Sequence, residues 1–245
     1  MPVSEEIVRY RPIRFKNSAF SLVELLVVIG IIAVLVALLL PTLQKAKDNA
    51  NRVACLNNLR QFGMGFQMYN QANNGSFPTS ACANQASDWI YWEPGRNLNL
   101  GRLVAYTSSS GTFDPRLYTC PSDNPASHVR GYPYSYSVNM YVCSSTSTVG
   151  TAPIIRSTAI RHPSNCIVMV EESSTTIDDG CWAWQYNYGL GVNLVSTRHD
   201  SRYLDVTDAA NSATAGNGNV LFADGHSDWI PRIDTFNPYY FNPNQ

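Results

Sequence analysis

The sequence predicts an α+β protein: one long N-terminal helix, membrane-spanning in its first half and amphipathic in its second, packed on a small, loop-rich antiparallel β domain. Three observations predict it. Residues 20–40 form a long run that is apolar but for Ser21, Glu24 and Gly30, and apolar residues at helical spacing continue the pattern to about residue 71. Beyond residue 75 the composition turns to Ser, Thr, Asn, Gly, Pro and Tyr, with short strand-like segments between them. The expected divisions are a short basic segment over 1–19, a membrane-length apolar helix over 20–40, its amphipathic continuation over 41–74, and a globular β-rich domain over 75–245.

The run reads FSLVELLVVIGIIAVLVALLL and is apolar except for Ser21, Glu24 and the small Gly30. At about 1.5 Å per residue its 21 positions make a helix of about 31 Å, one bilayer core. A core helix of a soluble protein seldom keeps every face apolar over six turns. Glu24 is the exception within it. A carboxylate at mid-bilayer costs roughly 2.5–3.5 kcal/mol, so it snorkels to the headgroups or has a partner. Arg9, Arg11, Arg14 and Lys16 precede the run, with Glu5 and Glu6 further out. Positive charge beside a first apolar segment holds that side in the cytoplasm, which places the rest of the chain outside. A secretory signal has a shorter apolar stretch and a small-x-small cleavage site; this run is too long, and Pro41-Thr42-Leu43-Gln44 offers no such site.

The segment Lys16-Asn17-Ser18-Ala19-Phe20-Ser21-Leu22-Val23-Glu24-Leu25-Leu26 resembles the processing site of type IV prepilins and type II secretion pseudopilins. The resemblance implies cleavage between Ala19 and Phe20 by a membrane-bound prepilin peptidase, followed by N-methylation of Phe20. It also implies a pilin-like fold, a single-pass protein of the bacterial inner membrane with a cytoplasmic N-terminus and a periplasmic or extracellular C-terminal domain, and assembly with itself and other pilin-like subunits. Glu24 falls at the fifth mature position, where the family acid is thought to pair with the terminal amine of a neighbouring subunit. Pro41 falls where these proteins often carry a helix-kinking proline. The chain departs from the family in having Ala19 where Gly usually precedes the cut. Pairing the acid with an amine offsets the desolvation of both charges, and a wrong register leaves one buried charge alone, so Glu24 would set subunit register.

Past Pro41 the apolar positions Leu43, Ala46, Ala50, Val53, Leu56, Leu59, Phe62, Phe66 and Tyr69 recur at steps of three or four. Gly63 and Gly65 weaken the end of this helix, and Asn73-Asn74-Gly75 supplies its stop. In the following domain Tyr132, Tyr134 and Tyr136 alternate with Pro133, Ser135 and Ser137 up to Val138, the period of a half-buried strand whose prolines suggest an edge or a strand start. Residues Ile167 to Glu171 read as a buried central strand. Asn219 to Ala223 and His226 to Ile230, joined at Asp224-Gly225, read as a hairpin. Tyr203 to Gly218 is polar and reads as a loop.

Cys120-Pro121-Ser122-Asp123, the Tyr-rich strand, Pro163 to Glu171 and Val220 to His226 are similar to a large group of proteins abundant in planctomycete-type bacteria. That group joins a prepilin-like N-terminus to a C-terminal domain marked by His, nine residues, then Asp-Gly. The matching residues are His199, Asp224 and Gly225, but here residues 200 to 223 separate the histidine from the aspartate.

The 17 basic and 18 acidic residues give a formal net charge of −1, and no basic stripe is present, so nucleic acid is not an expected partner. Six cysteines on the outer side of a membrane allow disulfides. Cys120 and Cys143 flank the Tyr-rich strand and form the best candidate pair, while Cys55 and Cys166 read as core residues. No Cys-x-x-Cys spacing supports a zinc ribbon. His199, Asp200 and Ser201 hold the parts of a triad, but neighbours in sequence point different ways, and Glu171-Glu172 and Asp178-Asp179 read as solvated acid pairs. The chain is therefore not expected to be an enzyme. No cofactor is expected, apart from a structural Ca²⁺ for which the loop acids Asp200, Asp205, Asp208 and Asp224 are weak candidates beside the plain reading as surface acids. The competing functional class is a membrane-anchored ligand- or glycan-binding module using Trp89, Trp92, Trp182 and Trp184.

Overall fold

The computed structural model describes residues 21–81, 85–143, 155–183, 193–200, 202–203 and 215–245. The chain divides into two units, residues 1–44 and 45–245. One helix, α1 (Leu22–Ala72), runs through both and carries Pro41 inside it. It closes where the sequence places its stop: Asn74 and Gly75 adopt left-handed backbone at φ 55° and 80°, and the Gly75 amide bonds back to the Asn70 carbonyl at 2.7 Å.

In the first unit every large apolar side chain of α1 from Leu22 to Leu40 is exposed. Among the described residues α1 is the one helix long and apolar enough to cross a membrane. In the second unit the same helix has a single buried stripe, Cys55, Leu59, Phe62, Phe66 and Asn70, at steps of three and four. Val53, expected on the buried face, is 49 % exposed, and Leu43 is exposed in the first unit. The glycines expected to weaken the helix have another use. A Cβ on Gly63 would lie 2.9 Å from the Gly225 carbonyl oxygen, and one on Gly65 would lie 2.9 Å from Thr107. They let the helix backbone approach the domain beneath it.

That domain is a five-stranded sheet in the order β3-β1-β2-β4-β5. Its strands are β1 (Tyr136–Asn139), β2 (Ile167–Glu171), β3 (Cys181–Trp182), β4 (Asn217–Phe222) and β5 (Ser227–Pro231). Short helices α2 (Val104–Thr107), α3 (Pro115–Tyr118) and α4 (Pro238–Phe241) sit in the connections. The α+β architecture is as the sequence predicts, with one difference: the sheet is mixed, because β3 pairs parallel to β1 while the other pairs are antiparallel. The expected central strand and hairpin are β2 and β4–β5. The Tyr-rich segment is a strand only from Tyr136, so Pro133 precedes it, and β1 is flanked by β3 and β2 rather than lying at an edge. Its four residues are all buried, so the alternation of Tyr with Ser does not mark a wet face; Ser135 and Ser137 are buried and hydrogen-bonded, to Cys120 N and to the Asp179 carbonyl.

Both faces of the sheet are covered, which is why β2 reads as a continuous apolar run. On one face Leu59, Phe62 and Phe66 of α1 meet Trp89, Leu103, Tyr118, Tyr136 and Leu221. Phe62 packs edge-on against Trp89, Tyr118 and Tyr136 at centroid distances of 6.0, 5.0 and 5.6 Å. On the other face Ile167, Val170, Val220 and Phe222 meet Trp182, Val195 and Phe241. A register shift between Ile167 and Met169 places Val168 and Met169 together in the first cluster. Asn139 ties the layers: its Nδ2 donates to the Ile167 and Phe241 carbonyls at 2.7 and 2.8 Å.

Gly218 marks the tightest approach in the second face. A Cβ there would overlap Val195 Cγ1 and sit 2.5 Å from the Ser196 carbonyl oxygen. Gly218→Ala is expected to destabilise by about 1–3 kcal/mol through overpacking, read as a lower urea midpoint with an unchanged slope.

Candidate functional site

Two places concentrate chemistry: a buried polar cluster under α1, and the entry to the apolar helix. The first is assembled by distant parts of the second unit. Cys55 comes from the buried stripe of α1, and Glu171 closes β2. The Cys120-Pro121-Ser122-Asp123 turn, closed by an Asp123 N–H to Cys120 carbonyl bond of 2.9 Å, delivers Cys120 and Asp123. Arg198 and His199 come from the segment after Val195. The Cys55 and Cys120 sulfurs lie 2.7 Å apart, and His199 Nε2 lies 3.3 Å from Cys120 Sγ and 3.3 Å from Glu171 Oε1. Arg198 Nη1 meets Asp123 Oδ2 at 2.6 Å, its Nε lies 3.3 Å from Glu171 Oε1, and its Nη2 donates to the Glu172 carbonyl at 2.6 Å. Asp123 also accepts from Ser135 Oγ and faces His128 Nε2 at 2.9 Å.

The electrostatics follow from this pairing. Burial raises the pKa of Glu171, but His199 and Arg198 outweigh it and hold the carboxyl below its ordinary range. Glu172, next in sequence, is pushed well above that range by burial, with Asp179 and Asp178 adding to the rise. Both are fully buried, so this acid pair is not the solvated loop that adjacent acids suggest. Burial alone would lower His199; its contacts with Cys120 and Glu171 override that and raise it to about 10. Burial likewise raises Asp123, but His128 and Arg198 bring it down to about 2. A folded carboxyl below its unfolded value contributes stability above the unfolded value and loses it as pH falls. Asp123 is therefore expected to contribute about 2 kcal/mol that disappears between about pH 4 and pH 2. Urea titrations across that window should show a shallower acid slope for Asp123→Asn; an identical slope contradicts the pairing.

At the helix entry, Ser21 precedes the first turn of α1. Its Oγ accepts from the Val23 N–H at 3.3 Å, and its own N–H donates to Glu24 Oε2 at 2.9 Å. This is a variant of the capping box: Glu24 reaches back to the Ser21 amide as the motif requires, while the Ser21 hydroxyl caps the second helical amide rather than the third. Glu24 thus has a partner within its own chain, while its second carboxylate oxygen stays exposed beside Ser21. Ser21-x-x-Glu24 is the sequence signal for this cap, set at the start of the apolar run.

Residues 14–40 match the family model of the prokaryotic N-terminal methylation motif. Neither a curated protein nor a solved structure matches the chain. The methylation motif supports a type IV pilin-like protein of the processed pilin or pseudopilin type, and with the exposed apolar half of α1 it indicates a membrane anchor. Ala19 and Phe20 lie outside the described residues, and Pro41 is helical within α1.

The remaining expected site residues divide. His199 joins the buried cluster, while Asp224 and Gly225 form the β4–β5 turn. There Gln67 of α1 donates to the Asp224 carbonyl at 2.9 Å, and Asp224 Oδ1 lies 2.6 Å from His226 Nδ1. Gly225 takes φ +95°, and a Cβ there would meet Gln67. So the histidine and the Asp-Gly turn serve different contacts. Asp200 is held by Arg202 at 2.8 Å and accepts from the Asn217 N–H; Asp205, Asp208 and Ser201 lie outside the described residues.

The expected Cys120–Cys143 bond is not formed. Both thiols are free, because Cys120 turns under α1 toward Cys55 while Cys143 lies in the aromatic core near Cys166. Cys181 is disulfide-bonded. Among the expected tryptophans that the structure describes, Trp89 and Trp182 are fully buried core residues and Trp92 is partly buried against the core; Trp184 lies outside the described residues.

Proposed function

We propose that the chain is a structural pilin-like subunit. It is cut between Ala19 and Phe20 by a prepilin peptidase, methylated at Phe20, and assembled with itself and other pilin-like subunits into a type II secretion or type IV pilus-like filament. Its leader lies on the cytoplasmic side of the bacterial inner membrane, and residues 75–245 form the periplasmic or extracellular domain. The observation that carries this reading is the coincidence, over residues 14–40, of the methylation motif with a helix whose large apolar side chains from Leu22 to Leu40 are all exposed. A filament supplies a partner surface: the apolar helices of neighbouring subunits cover one another once they leave the bilayer. The burial of Trp89 and Trp182 in the core weighs against a glycan-binding module built on them.

The test is the assembly state. Full-length protein expressed with a prepilin peptidase and an assembly system should appear in sheared or pelleted filaments, and cross-links placed along residues 22–40 should join one subunit to the next. A chain that stays monomeric in the membrane and after mild detergent extraction would reduce the helix to an anchor.

A further inference from the structure

The cluster under α1 has the composition of a soft-metal site. We propose that Cys55, Cys120, Glu171 and His199 bind one divalent zinc-class cation, which fastens α1 to the sheet. The four ligand atoms all lie within 4.8 Å of one another, and all four residues are buried. Two thiolates, an imidazole and a carboxylate are donors that zinc takes in tetrahedral sites. Bonds of about 2.0 Å at the tetrahedral angle place a nitrogen and an oxygen about 3.3 Å apart, and His199 Nε2 to Glu171 Oε1 is 3.3 Å. Cys120 Sγ to His199 Nε2, also 3.3 Å, is near the corresponding edge. The sulfurs must open: at 2.7 Å they are closer than the about 3.8 Å that two Zn–S bonds of about 2.3 Å require.

Two further observations favour a cation over a simple Cys55–Cys120 disulfide. Glu171 Oε1 is buried and aimed into the cluster, where it has ion-pair contacts of 3.3 Å to His199 and Arg198 but no well-formed hydrogen bond, while its other oxygen accepts from Asn219 Nδ2 at 2.8 Å. A disulfide would occupy the sulfurs alone and leave that oxygen as it is; a metal takes it as the fourth ligand. A cation also offsets charge. Two thiolates and Glu171 put three negative charges in the cluster, of which a divalent cation takes two, and Arg198, shared with Asp123 at 2.6 Å, lies 3.3 Å from the same Glu171 oxygen. The ligands come from α1, the Cys-Pro-Ser-Asp turn, the end of β2 and the segment after Val195, so one ion would join four separate stretches of chain.

The experiment is metal analysis of full-length protein, purified in detergent without chelator, with zinc and then cobalt as probes. About one zinc per chain is expected, lost in the Cys55→Ser/Cys120→Ser double variant and weakened at least about tenfold by Glu171→Gln. Cobalt should exchange in and show thiolate-to-metal charge-transfer absorption, and zinc should protect both thiols from alkylation. These last two readouts use the unaltered protein and stand even where the double variant fails to fold. The proposal is overturned by a wild-type protein that carries no zinc and takes none up, whether its mass shows a second hydrogen pair lost, beyond that of the Cys181 disulfide, or both thiols alkylate freely. Zinc retained by a folded double variant overturns it equally.

Discussion

Arg198→Ala is expected to lower folding stability by about 3–5 kcal/mol, the cost of removing one partner from a buried ion network. The side chain is only 6 % exposed and lies against two buried carboxylates, Asp123 at 2.6 Å and Glu171 at 3.3 Å. Its Nη2 also holds the Glu172 carbonyl. Removing it leaves two desolvated acids to His128 and His199 and takes a donor away from the Glu172 carbonyl. Arg198→Lys should recover only part of the loss, because an ammonium cannot reproduce the planar fork that reaches Asp123, Glu171 and a carbonyl at once. Arg116, whose pair with Asp114 at 2.9 Å is fully solvated, provides the contrast: Arg116→Ala should leave the urea midpoint unchanged. Equal effects at the two arginines would show that the cluster is not the anchor described above.

Glu24→Ala is expected to leave membrane insertion intact and to cut filament yield by more than about tenfold, which needs a loss of only about 1.4 kcal/mol per subunit contact. The capping box makes a second substitution informative. Gln at the same position can still accept from the Ser21 N–H, since Glu and Gln both serve at the third helical position. It cannot pair as a charge with a neighbour's terminal amine. If register depends on the charge, Glu24→Gln fails in assembly as Glu24→Ala does. Assembly restored by Gln would assign Glu24 to the helix cap alone, and a normal yield from Glu24→Ala would remove both roles.

What could be read from sequence follows the range of each signal. The apolar run, the α1 stop at Asn73-Asn74-Gly75, β2 and the β4–β5 hairpin are local patterns, and all four appear where the residues place them. The Tyr-Ser alternation before Val138 misleads because burial on both sides of a sheet erases the meaning of period two; its serines are satisfied by backbone partners instead of water. Gly63 and Gly65 look like helix weakeners until Gly225 and Thr107 are seen against them. The buried cluster was out of reach for the same reason. Cys55, Cys120, Glu171 and His199 come from four remote segments, so no spacing rule joins them, and each alone has a bland reading as a core thiol, a strand end or a motif histidine. Only Ser21-x-x-Glu24 was both local and overlooked.

The most direct test of the central claim is the mass and sequence of the mature N-terminus in cells with an active prepilin peptidase. The account predicts a chain that begins at Phe20, carries one methyl group on its amine, and has lost residues 1–19. An intact chain that still begins at Met1 would contradict it.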